Sequence, residues 1–174
     1  MASALVSLIS IAVMVTAMLT LIHGGFLSAE MLSRSWKVME TRTGEIARTK
    51  MEIIATSTDS SFVYVTIKNS GQVAWESFAD WDVVVQWYTA PGDYKIERMG
   101  YTAGGTPDLN HWAVTGIYRN AASSLAEVFE PGILDPAEEM KIKVKPNPPM
   151  GPSTNNWIVI GTPNGVSTSA LFTR

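Results

Sequence analysis

No Lys, Arg, Asp or Glu occurs in this chain before Glu30, and that fact limits the folds open to it more than any other. All 13 Lys and Arg and all 16 Asp and Glu of the 174 residues lie from Glu30 onward. Met1 to Ile22 is interrupted by only five polar side chains, Ser3, Ser7, Ser10, Thr16 and Thr20. A helix of that length reaches about 33 Å, enough to cross the hydrocarbon core of a bilayer. A secretory signal would show a basic start, a shorter apolar core and a small-residue cleavage site. Here no Lys or Arg precedes the apolar run. A simple cytosolic globule is therefore not expected.

The run does not end in a loop. Ser28 to Thr43 has no Pro or Gly, and Met31, Leu32, Trp36 and Met39 recur at helical spacing. Gly24 and Gly25 would weaken or bend a helix by about 1 kcal/mol each relative to Ala. The pattern predicts one helix from about Ala2 to about Thr43, flexed at Gly24 and Gly25 and stopped near Gly44. Such a rod, about 60 Å long, is too long for a small globule to enclose and is expected to project.

From Ala47 the period becomes two. Thr49, Met51 and Ile53 alternate with charged neighbours, as do Met140, Ile142 and Val144 with Lys141, Lys143 and Lys145. Val63, Val65 and Ile67 follow the same rule, while Asp82–Tyr88 and Trp157–Ile160 read as more buried strands. Turn signals at Asp59-Ser60, Asn69-Ser70-Gly71, Pro91-Gly92-Asp93, Pro131-Gly132 and Asn164-Gly165 separate the runs. The expected fold is α+β: a long N-terminal hydrophobic α-helix followed by a C-terminal all-β immunoglobulin-like sandwich of seven to nine strands. The expected division is an assembly helix at 1–43, apolar and bilayer-length over 1–25, and a sandwich at 44–174.

Several chemistries find little support. A net charge of −3 with no basic run argues against nucleic acid as a partner. Without Cys there is no disulfide, thiolate metal site or Cys nucleophile. His23, at the end of the apolar run, and His111, in what reads as a Gly/Pro-rich loop, are too few for a zinc centre. Asp80 and Asp82 flank Trp81 and offer two carboxylates where Ca²⁺ takes six to eight oxygens. There is no nucleophile elbow, zincin, P-loop or dinucleotide fingerprint, so no catalytic residue, metal ligand or cofactor-binding residue is assigned and no cofactor is expected. Trp81, Val83, Val85 and Trp87 share a strand face and read as core. Trp75 and Trp112 read as loop residues, open either to packing or to contact with a neighbouring subunit or carbohydrate. No N-glycosylation sequon is present, whereas the Ser/Thr-rich stretch Thr56–Ser61 leaves O-linked sugars open.

The helix itself offers the better signal. Ser3, Ser7, Ser10, Ala17 and Gly24 form a stripe of small residues of the kind that lets helices approach closely. A plain anchor would explain the apolar part alone, but needs no amphipathic continuation to Thr43. The residues expected to carry assembly are Leu5, Leu8, Ile9, Ala12, Val13, Thr16, Leu19, Thr20 and Ile22.

An apolar helix from the first residue, an amphipathic continuation and then a sandwich resembles the type IV pilin superfamily, and within it the archaellins, the archaeal-type flagellins. The resemblance is sharpest in Ala2–Gly25, in Val65–Gly71 (VTIKNSG), in Leu134–Pro146 (LDPAEEMKIKVKP) and in Gly161–Phe172 (GTPNGVSTSALF). Leu5 stands where bacterial type IV pilins usually carry Glu, which points to the archaellin branch. The missing sequon departs from the archaeal pattern and leaves room for a bacterial host with archaellum-type machinery. The resemblance implies a structural subunit rather than an enzyme. It would be membrane-inserted before assembly, then polymerised with itself into an extracellular rotating filament for swimming motility. It also implies a leader peptidase, a secretion ATPase and a polytopic membrane platform as partners, with Met1 near the processed end. Other readings are a non-rotating adhesive pilus subunit and, in another class, a membrane-anchored sandwich module such as the stator component of the same machine. An anchored enzyme is a remote third.

Overall fold

The computed structural model describes residues 2–59 and 61–174, so Met1 and the Ser60 half of the Asp59-Ser60 turn signal lie outside the described residues. The chain divides into two compact units, Met1–Gly44 and Glu45–Arg174.

The first unit is helical. Helix α1, Ala2–Arg48, holds 47 residues and is continuous through Gly24, Gly25 and Gly44. At 1.5 Å per residue it is about 70 Å long. It therefore does not stop near Gly44. Its last turn belongs to the second unit, where neighbours satisfy its terminal carbonyls. The Thr49 N–H and Oγ1 both donate to Glu45 O, at 3.0 and 2.9 Å, and Gln72 N donates to Arg48 O at 2.8 Å. Asn164 Nδ2 in turn donates to Thr49 Oγ1 at 2.7 Å. Hydrogen bonds from residues remote in sequence cap this helix, and no local signal encodes them. Gly71 is part of the arrangement, because a Cβ there would stand 2.5 Å from Lys50 N and 2.6 Å from Arg48 O.

Among its described residues the second unit contains nine strands: β1 Met51–Thr58, β2 Val63–Asn69, β3 Asp82–Tyr88, β4 Tyr94–Tyr101, β5 His111–Asn120, β6 Leu125–Ala126, β7 Glu139–Lys145, β8 Asn155–Gly161 and β9 Ser167–Thr173. Two antiparallel halves, β1-β2-β7-β5 and β4-β3-β8-β9, face one another, with β6 added to β5. They join through a short parallel pairing of β4 with β5, Gly100 opposite His111 and Tyr101 opposite Trp112. On the far side β1 lies beside β9, where Thr58 Oγ1 donates to Thr173 O at 3.3 Å. The expected order, a long helix followed by a β-sandwich, is the order observed.

Alternation places the core. Val63, Val65 and Ile67 of β2, Val83, Val85 and Trp87 of β3, and Met140, Ile142 and Val144 of β7 all point inward and are buried. Asn69 is buried among them without an unmet polar group in its amide. Its Nδ2 donates to Val73 O at 2.8 Å and Leu134 O at 3.0 Å, and its Oδ1 accepts from Gly71 N at 3.1 Å. Such a side chain ties the loop after β2 to the segment before β7, and removing it would take a hydrogen bond from the Val73 carbonyl and one of two from the Leu134 carbonyl, which also accepts from Trp75 N.

Two tryptophans depart from expectation. Trp112 is not in a loop: it is the second residue of β5, wholly buried, with its ring centroid 4.9 Å from that of Tyr101. His111, also expected in a loop, begins the same strand. Trp157 begins the apolar run expected to be buried, yet it points outward from β8 and is 41% exposed, while Ile158 and Ile160 point in. Trp75 packs edge-on against Trp81 at 5.9 Å, which settles it as a packing residue.

Candidate assembly surface

Along the apolar part of helix α1 several side-chain hydrogen bonds are sequence-local. Hydroxyls that would otherwise demand partners are turned back on the helix itself. Ser10 Oγ donates to Val6 O at 3.0 Å, Thr20 Oγ1 to Thr16 O at 2.8 Å, and Ser28 Oγ to Gly24 O at 2.9 Å; Thr16 Oγ1 bonds likewise to Ala12 O. In a medium without water each unmet hydroxyl would cost several kcal/mol, so these bonds fit the helix for apolar surroundings.

All nine residues expected to carry assembly are exposed on α1, with Leu8 at 71% and Ile22 at 46%. They are not a distinct face. Val6, Ile11, Met14, Val15, Met18 and Leu21 are exposed to the same degree, so the apolar surface goes all the way round. A helix apolar on every side belongs in a membrane or inside a bundle. The signal was present in the sequence: no polar stripe runs along 1–22. The segment is long and apolar enough to cross a membrane.

Beyond Glu30 the surface changes character. Glu30 pairs with Arg34 at 2.6 Å one turn on, while Met31, Leu32, Trp36, Val38 and Met39 remain exposed. Charges and large apolar side chains thus share the same stretch.

The two outer faces of the sandwich differ. On β2 and β7, Lys143 Nζ sits 3.7 Å from the centre of the Phe62 ring and 5.4 Å from that of Tyr64. The Tyr64 hydroxyl donates to Asp59 Oδ2 at 2.9 Å, and Asp59 Oδ1 accepts the Ser61 and Phe62 amides. Those backbone N–H bonds, Ser61's foremost, hold the Asp59 carboxyl below its ordinary value, and the bond to Asp59 raises Tyr64. On β4, β3, β8 and β9 the outward residues include Tyr94, Ile96, Tyr88, Trp157 and Leu171, all exposed. Near the other end of this sheet Arg98 Nε donates to Asp82 Oδ1 at 2.5 Å. Asp82 is thereby committed to Arg98, and Asp80 closes a 3-10 turn at Phe78–Asp80, so the two acids do not share a strand. No group of three or more potential metal-ligating side chains occurs among the described residues. His23 lies on exposed helix, and His111 Nδ1 is 2.8 Å from Leu109 O.

No protein-family profile matches the chain. An uncharacterized protein of Archaeoglobus fulgidus is 27% identical over 172 residues, 95% of this chain and 91% of that one. Among solved structures, the archaellum periplasmic stator protein FlaG of Sulfolobus acidocaldarius is similar at 23% identity and a TM-score of 0.50, covering 71% of this chain and 99% of that one. The same values of identity and TM-score relate it to the FlaF–FlaG stator complex of that organism, with 89% of that chain covered. The archaeal flagellum of Methanospirillum hungatei aligns at 12% identity and a TM-score of 0.43, over 91% of this chain and 89% of that one. What the chain shares with FlaG at this level of identity is a fold.

Proposed function

We propose that the chain is a structural subunit of an archaellum-type surface apparatus, and that it polymerises through α1 into an extracellular filament. The observation that carries this reading is the length of exposed apolar helix. A bilayer core takes about 20 residues, yet large apolar side chains stay exposed on α1 from Leu5 to Met39, past the first charges. The excess has no use in an anchor and calls for protein neighbours. Lipid tails are about as apolar as Leu, so transfer of Leu5, Leu8, Ile9, Val13, Leu19 and Ile22 from bilayer to bundle changes hydrophobic energy little. Net stabilisation then comes from close packing and from sandwich contacts, and extraction needs an external motor, the role of the secretion ATPase and membrane platform. Each contact is heterologous and repeats without closing, which gives a helical polymer. The filament serves swimming motility, and the chain acts as a structural part rather than as an enzyme.

A second reading has its own support. The likeness to FlaG spans nearly that whole chain and falls short of covering this one, as expected of a stator-like sandwich carried on an added membrane helix. Shearing of cells followed by electron microscopy and immunolabelling separates the two. Subunits in released filaments are the expected result; chain found solely as a monomer in the membrane fraction would replace the filament reading with the stator one.

A further inference from the structure

The outer face of β4-β3-β8-β9 carries a groove of about 340 Å³ whose lining side chains are all uncharged. Register builds it: Trp157 of β8 lies opposite Gln86 of β3 on one side and Leu171 of β9 on the other, and Tyr88 lies opposite Tyr94. The two tyrosine rings are 5.3 Å apart. Beneath them Asn156, buried at 2%, accepts the Tyr88 amide at 3.1 Å and fixes that strand end. The Tyr94 hydroxyl donates to Gln86 Oε1 at 2.9 Å, and Thr173 Oγ1 donates to Asn155 Oδ1 at 3.0 Å. With both carbonyl oxygens engaged, the Gln86 and Asn155 NH₂ groups are oriented, and neither donates to a described residue. The Tyr94 oxygen, its proton committed, is left as an acceptor.

We propose that this groove binds a neutral carbohydrate chain. A pyranose ring has a C–H face that stacks on Trp and Tyr rings, and hydroxyls at its edge that accept from amide NH₂ groups and donate to a phenol oxygen. The groove offers those elements and no charge, which removes nucleic acid, anionic lipid headgroups and acidic or basic peptides as matched ligands. Its volume is in the range of small-ligand sites. The inference does not depend on whether the chain is a filament subunit or a stator component.

The test uses the full chain in a detergent without a sugar headgroup. Mannohexaose, chitohexaose and cellohexaose are titrated by isothermal calorimetry, which reads binding whether or not Trp157 is present. Saturable binding to at least one is expected, weakened about tenfold or more by Trp157→Ala and by Tyr94→Ala and largely kept by Trp157→Phe. Trp157 and Tyr94 are 41% and 52% exposed, so melting curves of the variants should fall only modestly and keep one cooperative transition. Absence of saturable binding to all three overturns the proposal, as does binding indifferent to Trp157→Ala and Tyr94→Ala. Self-association that Trp157→Ala abolishes, without sugar binding, overturns it in favour of a second copy of the chain as occupant.

Discussion

Helix α1 and the sandwich use the same kinds of side chain in opposite ways. In the sandwich, Val, Ile, Met and Trp from facing strands meet one another, and residues such as Val63, Val83 and Ile158 are wholly inaccessible. In α1, large apolar side chains from Leu5 to Met39 remain exposed. One region buries most of its large apolar side chains within the chain; the other leaves them open to lipid or to other molecules. The contrast teaches that the buried core and the open apolar surface are written in separate segments, and so should respond to different substitutions.

The largest effect that could break this division is a charge in the helix. Leu8→Asp or Val13→Asp places a carboxylate where the apolar medium penalises it by about 3 kcal/mol. Filaments should vanish from sheared cell surfaces while the thermal unfolding of the sandwich stays unchanged. Persisting filaments would remove α1 from the polymer's interior. Conversely, Trp112→Ala empties a buried ring from the sandwich and should lower its stability by about 3–5 kcal/mol in urea unfolding, with membrane association of the chain preserved. Asn69→Ala is next: loss of its bonds to Val73 O and Leu134 O should cost about 2–3 kcal/mol by the same measurement.

The smallest effect concerns pH. The folded-state pKa of Asp59 is lowered, chiefly by the Ser61 amide, so its contribution is complete above its unfolded value of about 3.9 and is lost as pH falls through the folded value. Burial raises Glu138, with opposite sign: its contribution is present below its unfolded value and is lost as pH rises through the folded one. Asp59→Asn should lower stability by less than about 1 kcal/mol at neutral pH and flatten the acid limb of melting temperature against pH. Glu138→Gln should raise stability slightly at neutral pH and leave the acid limb in place.

Legibility followed periodicity. The helix and most strands could be read because each repeats a pattern in its own sequence, as Val63-Val65-Ile67 does. What depends on a distant partner could not be read. Arg48 ends the helix because Gln72 reaches its carbonyl, and Gly71 permits the approach; neither is visible from Gly44, which only looks like a stop. Trp112 was concealed by Gly and Pro nearby, although β7 and β4 give it a strand on either side. Trp157 heads an apolar run whose local pattern does not say which residues face inward; its outward turn follows from its pairing with Gln86 and Leu171. In the helix the nine residues named for assembly are exposed, and so are the apolar residues between them, so exposure does not single them out.

The inward turn of the helix hydroxyls has a further consequence. In coiled bundles a buried polar group seeking its mate on a neighbour fixes register and strand number. Ser10, Thr16 and Thr20 seek no such mate, because Val6, Ala12 and Thr16 already receive their protons. In a filament of such chains, hydroxyl bonds between helices would set no register, and pitch and handedness would have to come from side-chain packing and from the sandwiches.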